Sequence, residues 1–157
     1  MTVPFPLPDI TLTAVRAAQV RDVLRQMTGM LEKTHAVDSA AMAQLLMDAE
    51  TTGGSAIGDG IAVISARVPV DVAPRRLCAF ARLERPLAFR GVETHPCDIV
   101  YMMVTPEHEA QAHLRDLSAI IRALRDRDFV ARLREADTPE RVANLFRARD
   151  MALTRAA

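Results

Sequence analysis

The stretch Gly53–Ile64, GGSAIGDGIAVI, divides this chain of 157 residues into two kinds of pattern and holds four of its six glycines. Upstream of it, apolar residues recur at the spacing of an amphipathic helix; downstream, they form short continuous or alternating runs. A helix does not continue through so many glycines. Residues 53–60 are therefore predicted to form a loop that leads from a helix into a strand.

Helices are predicted on both sides of this loop. One lies within 17–33, and a second begins after Asp38, whose side chain can cap it. Later in the chain, apolar residues at helical spacing form a stripe of the kind that packs on a core: Ala110, Leu114, Leu117, Ile121 and Leu124. Thr138, Pro139 and Glu140 are typical of the start of a last helix.

Strands are predicted in the middle of the chain, at two apolar runs (60–64 and 99–104) and one alternating run (77–83). Helices before and after a block of strands indicate one sheet covered by helices, in the α/β (α+β) class. The first 16 residues, with prolines at positions 4, 6 and 8, are interpreted as a Pro-rich lead-in rather than a signal peptide. A single domain is predicted over 17–150.

The composition excludes several classes of protein. Twenty basic and twenty acidic residues give no net charge, which makes nucleic acid an unsuitable general partner and leaves homodimer formation open. No apolar stretch is long enough for direct membrane insertion. Cys78 and Cys97 form neither a disulfide framework nor a metal-spaced cluster, so we expect reduced core cysteines, a cytoplasmic chain, and no metal or cofactor.

Two features could carry chemistry. Four residues of the glycine loop are phosphate-binding candidates, since glycines let backbone N–H groups approach an anion: Gly54, Ser55, Gly58 and Asp59. The Gly-Lys-Ser/Thr of a P-loop is missing, and glycine content alone favours a simple turn. Of the four histidines, only His113 belongs to a predicted helix, where a half-buried boundary role is favoured over a catalytic one.

Several motifs resemble one known family. Glu50, Gly53 and Ser55–Val63 (SAIGDGIAV) are similar to the R-E-x-x-G-S-T-G-I-G-N-G-I-A-I-P-H-G stretch of phosphotransferase-system enzyme IIA proteins of the fructose/mannitol type. That type includes the nitrogen-regulatory branch. Further matches follow in the same order over roughly 17–147: LERPLAF at 83–89, PCDI at 96–99 and HLRDL at 113–117.

The resemblance implies a single mixed β-sheet flanked by helices on both faces. It also implies a phosphorylation site, where the His of P-H-G accepts a phosphoryl group from a phosphocarrier protein. The His of H-L-x-x-L lies beside it, and the Arg before the Glu helps to hold the anion. An imidazole nitrogen is a competent nucleophile near neutral pH, and cationic groups can steady phosphoryl oxygens.

The chain departs from the family at this implied site. Ser65 stands in place of the acceptor His, Ala49 in place of the Arg, and Asp59 in place of an Asn, whereas His113 is retained. The departures favour a regulatory module that binds protein partners, such as a kinase, a transporter or a phosphocarrier, and that is not an enzyme. An active phosphocarrier that uses His113 or Ser65 remains an alternative, as does a small-molecule sensor with a pocket made apolar by Ile64 and Ala66.

Overall fold

The computed structural model describes residues 5–91 and 95–156 and has five strands in one mixed sheet. The strands are β1 (Ile10–Val15), β2 (Ala56–Gly58), β3 (Ile61–Val68), β4 (Leu77–Phe89) and β5 (His95–Pro106). They are ordered β1-β4-β5-β3-β2. β1 is parallel to β4 and β3 is parallel to β5, whereas the pairs β4–β5 and β2–β3 are antiparallel.

Helices cover both faces of the sheet, as the resemblance implied. They are α1 (Val20–Thr34), α2 (Ser39–Gly53), α3 (Ala110–Leu124), α4 (Arg127–Glu135) and α5 (Pro139–Ala156). The alternation in β4 separates the two cores: Leu77 and Ala79 pack with α1 and α2, while Cys78 and Phe80 pack with α3, α4 and α5. The α/β architecture is therefore confirmed.

The segment interpreted as a Pro-rich lead-in contributes to this sheet. Residues 10–15 form the edge strand β1, and the polypeptide before it packs on the α5 side of the sheet. Phe5 is buried and its backbone N–H donates to Asp150 at 3.2 Å, while the Tyr101 hydroxyl donates to the backbone oxygen of Pro6. Of the three prolines that suggested a lead-in, position 4 lies outside the described residues.

β4 and β5 are longer than the apolar runs predicted. β4 continues through Pro86 as far as Phe89, although proline lacks the N–H that a sheet ladder needs. The register with β5 shifts between Arg82 and Leu87, so Pro86 lies in the irregular part of the pair. An irregularity of this kind is where a strand tolerates proline.

The buried face of α3 differs from the predicted stripe by one position. Its buried residues are His113, Asp116, Ile120, Ala123 and Leu124. Leu114 is instead 68% exposed, and Leu117 and Ile121 are only partly buried. Hydrogen bonding explains the difference, because Asp116 turns inward to an ion pair with Arg76 at 2.8 Å and His113 turns inward to Thr105.

The two cysteines lie on opposite faces of the sheet. Cys78 is paired with Met103 and Cys97 with Leu87, so about 20 Å of strand β5 separates them, far beyond the reach of a disulfide. Burial raises the pKa of Cys78 to about 12 and that of Cys97 to about 11. Both therefore stay protonated at neutral pH, as expected for core cysteines.

Candidate functional site

A groove of about 450 Å³ lies between the end of α2, the β2–β3 hairpin and α3. It contains four of the residues that the sequence singled out: Ala49, Gly54, Ser55 and Ser65. Leu117 and Ile121 of α3 form its apolar wall. The glycine loop, the end of α2 and β3 therefore come together as the motif order suggested.

Glu50 organises the floor of the groove, although the sequence predicted no role for it beyond its match to the family motif. The residue is 2% exposed, and its carboxylate accepts hydrogen bonds from the Ser55 hydroxyl and from the backbone N–H of Arg90, the latter at 2.6 Å. A buried carboxylate is tolerated only when it is hydrogen-bonded in this way. The only signal in the sequence was an acid one turn before a glycine pair.

The floor also depends on Gly54. Its φ of 75° and ψ of 162° lie in a region that only glycine adopts readily. A Cβ there would come within 2.9 Å of the Arg90 backbone oxygen. The same oxygen accepts from the N–H groups of Ser55 and Ala56 at 2.6 and 2.8 Å, so neither amide is available to cradle a phosphate.

Ser65 projects toward α3. Ile61 and Val63 belong to the core on that side, whereas Ala62 and Ile64 belong to the opposite core, so alternation places residue 65 with the former pair. Ser65 is half-buried, and its hydroxyl makes no hydrogen bond to any residue that the structure describes. Within the described structure, no base is hydrogen-bonded to this hydroxyl to activate it.

His113 lies on the same side of the sheet but outside the lining of the groove. It is 8% exposed, and its Nδ1 atom is 2.9 Å from the Thr105 hydroxyl. Burial lowers the pKa of His113, and the nearby Arg67 lowers it further, while Asp116 opposes the shift. The imidazole is therefore neutral at pH 7 and held by the sheet.

Gly58 and Asp59 do not lie with the other loop candidates, which corrects the prediction that grouped them. Because Ala56–Gly58 pairs with β3 as strand β2, the Gly58–Asp59–Gly60 turn is carried to the far end of the hairpin. The start of β3 at Ile61 is about 13 Å from Ser65 along the strand. The Asp59 carboxylate is instead 3.8 Å from the Arg127 guanidinium.

Arg134 fastens this turn to the sheet. Its guanidinium donates to the Asp59 backbone oxygen at 2.6 Å and forms an ion pair with Asp98 at 2.8 Å. Asp59, Arg127 and Arg134 also line a separate depression of about 580 Å³. The negative charge of Asp59 is therefore directed away from Ser65.

Beyond the groove, α3 presents a ridge formed by Leu114, Leu117 and Ile121. On its other side lies a depression of about 530 Å³, lined also by Arg122 and Arg125. The described part of the chain contains no cluster of three His, Cys, Asp or Glu side chains that could hold a metal ion. None of the helices described is long and apolar enough to cross a bilayer.

Comparisons with known proteins agree on one family. Residues 7–148 match the model described as "Phosphoenolpyruvate-dependent sugar phosphotransferase system, EIIA 2". The nitrogen regulatory protein of Bradyrhizobium diazoefficiens is 28% identical over 127 residues, which cover 81% of this chain and 82% of that protein.

Solved structures show the same fold. The nitrogen regulatory protein IIA-Ntr of Neisseria meningitidis superposes with a TM-score of 0.79 at 20% identity, covering 90% of this chain and 96% of that one. The mannitol enzyme IIA of Escherichia coli, solved in complex with phosphorylated mannitol enzyme IIB, gives a TM-score of 0.72 at 20% identity. That match covers 92% of this chain and 99% of the other.

Proposed function

We propose that this chain, which belongs to the enzyme IIA family of the phosphoenolpyruvate-dependent phosphotransferase system and is a nitrogen-regulatory IIA-like protein, regulates partner proteins by binding them. It does so without carrying phosphate. Ser65 takes the position of the acceptor histidine, and Ala49 takes that of the arginine beside the anion. The groove between α2 and α3 is then the family's phosphorylation site without its reactive groups.

The observation that carries this proposal is the chemistry of the groove. Among the described residues that line it, none is a histidine, lysine or arginine, and the one acid, Glu50, is engaged with Ser55 and Arg90. Charge-assisted hydrogen bonds are the strong contacts that hold phosphoryl oxygens during transfer. A groove whose described lining holds no cation, and whose serine is not hydrogen-bonded to a described base, supports neither the transfer nor the relay that would follow.

Protein binding is the function that this scaffold retains. The mannitol enzyme IIA of E. coli, which shares the fold, was solved bound to a protein partner. For this chain we infer a kinase, a transporter or a phosphocarrier as the partner. We place the protein in the cytoplasm, a compartment that suits two protonated, buried thiols.

Intact-mass spectrometry tests the proposal. The purified protein is incubated with phosphoenolpyruvate, enzyme I and a phosphocarrier, and the mass is read for an increase of about 80 Da, the mass of one phosphoryl group. We expect no increase. An increase that Ser65→Ala abolishes, or one that His113→Ala abolishes, would instead establish an active phosphocarrier with that residue as its acceptor.

A further inference from the structure

The α3 ridge of Leu114, Leu117 and Ile121 is an apolar surface that the fold covers only in part, since Leu117 and Ile121 are half-buried against the core and Leu114 is exposed. Leu114, 68% exposed, is the most exposed large hydrophobic residue in the part of the chain that the structure describes. The inward positions of α3 are taken by His113 and Asp116, whose polar contacts to the sheet turn the leucine outward. Apolar side chains that recur along one exposed helix face are typical of a protein-binding surface.

The two sides of the ridge differ in charge. On the groove side, the described lining holds no basic residue. On the other side, Arg122 and Arg125 line the second depression, and neither has an acidic group within 4 Å in the described structure. The neighbouring Arg115, by contrast, is 3.6 Å from the Asp116 carboxylate. Two exposed guanidinium groups therefore remain available beside the apolar ridge.

We propose that the α3 ridge is the docking surface for an amphipathic helix of a partner protein, whose apolar stripe is bordered by carboxylates on the side that faces Arg122 and Arg125. This inference rests on the proposed function and names the chemistry of the partner. Leu114 to Arg125 spans about 16 Å of helix, the length of about three turns of a partner helix. The groove and the second depression, one on each side of the α3 ridge, can receive the side chains that border the apolar stripe of such a helix.

Charge complementarity also determines the orientation of the partner. A helix with acidic residues along one border can face Arg122 and Arg125 with that border in only one lateral placement. Its other border then faces the groove, whose described lining holds no basic residue. A helix with basic borders would place like charges against Arg122 and Arg125, and such juxtapositions disfavour the wrong partner.

Two synthetic peptides test the inference. Each is a helix of about 15 residues with the same leucine stripe, and its flanks carry glutamate in one peptide and lysine in the other. Binding is followed by the methyl NMR signals of Leu114, Leu117 and Ile121 in the full-length protein. We expect the acidic peptide to shift these signals and the basic peptide to leave them in place. Raising the salt from about 0.05 to about 0.5 M should weaken the acidic complex, because the charges are exposed.

Paired variants assign the effect to the two arginines. The double change Arg122→Glu and Arg125→Glu should weaken binding of the acidic peptide by at least about tenfold. The control is the double change Arg25→Glu and Arg132→Glu, which alters the net charge by the same amount at two exposed arginines away from the ridge. Arg132, like Arg122, lies in the last turn of its helix. The control should leave binding unchanged. Leu114→Ser, at an exposed position that does not support the core, should also weaken binding.

Equal binding by the two peptides, or equal loss in the two double variants, would overturn the inference. So would ridge signals that stay in place with the acidic peptide, or methyl shifts confined to another face. These outcomes are separate from the mass measurement above. A phosphorylated wild-type protein would overturn the proposed function, whereas failed peptide binding by an unphosphorylated protein would overturn only the docking surface.

Discussion

The two ends of the β2–β3 hairpin are held by different physical means. At the turn, Gly58, Asp59 and Gly60 all have positive φ, and Arg134 fastens them through the Asp59 backbone oxygen and the Asp98 carboxylate. At the groove end, by contrast, backbone geometry and one buried carboxylate hold the floor, and the described lining residues include no basic group.

We infer from this difference that the turn serves the stability of the fold and the groove end serves binding. The charges at the turn are occupied in holding a strained backbone segment, so they have little left to offer a ligand. At the groove end the described lining holds no basic residue, its one carboxylate is buried and hydrogen-bonded, and the half-buried apolar wall of α3 lies above it. We therefore expect substitutions at the turn to change stability alone, and substitutions along the groove and the ridge to change binding.

The largest effect on stability is expected at Gly54. Gly54→Ala places a Cβ 2.9 Å from the Arg90 backbone oxygen and forces alanine into a conformation that only glycine adopts readily. The free energy of unfolding should fall by about 3 kcal/mol. Urea denaturation measures it. Gly53→Ala is the matched control, because nothing lies within 4 Å of its Cβ position and the residue is helical. An equal loss in both variants would show that the groove floor does not depend on the geometry of Gly54.

A smaller effect is expected at the turn. Arg134→Met removes the ion pair with Asp98 and the hydrogen bond to Asp59, and should lower the free energy of unfolding by about 1–2 kcal/mol. Binding of the acidic peptide to the α3 ridge should not change. Arg132→Met on the same helix, with an exposed side chain, is the control for helix α4. A loss of peptide binding in Arg134→Met would contradict the separation of the two ends.

The smallest expected effect is the pH dependence contributed by His113. Because its pKa is lowered in the folded protein, mainly by burial and then by Arg67, the unfolded chain binds a proton more readily. The free energy of unfolding should therefore fall as the pH drops through about 6.5, the pKa of histidine in the unfolded chain. This loss of stability is complete once the pH lies below the pKa of His113 in the folded protein. Urea denaturation at pH 7.5 and at pH 5.5 should show a smaller difference in His113→Gln than in the wild type. His108→Gln, at an exposed position, is the control and should show the same difference in stability between the two pH values as the wild type. Equal differences in the wild type, His113→Gln and His108→Gln would show that His113 does not contribute.

Periodicity was sufficient to predict most of the helices and strands, but not which groups face inward. The apolar spacing in α3 predicted that Leu114 is a core residue, but Leu114 is exposed. A pattern of apolar residues cannot show that His113 and Asp116 are buried instead, because their polar partners lie on other elements. In the same way, the pairing of Ala56–Gly58 with β3, which carries Asp59 away from Ser65, depends on contacts that no local pattern encodes.

The resemblance to a known family contributed what periodicity could not. It placed Ala49 and Ser65 at one implied site, and the structure brings both to one groove together with Gly54 and Ser55 of the glycine loop. Grouping Asp59 with them was wrong, because neighbours in a motif need not remain neighbours once a hairpin forms between them. The role of Glu50 follows only from its hydrogen bonds to residues 55 and 90.

The most direct test of the central claim is to rebuild the site. The double variant Ser65→His and Ala49→Arg restores an imidazole and a guanidinium to the groove, and its intact mass is measured after incubation with phosphoenolpyruvate, enzyme I and a phosphocarrier. We expect a gain of about 80 Da in the double variant, little or none with Ser65→His alone, and no further gain when Asp59→Asn is added. A double variant that folds as the wild type does and gains no mass would contradict the assignment of this groove as the family's phosphorylation site.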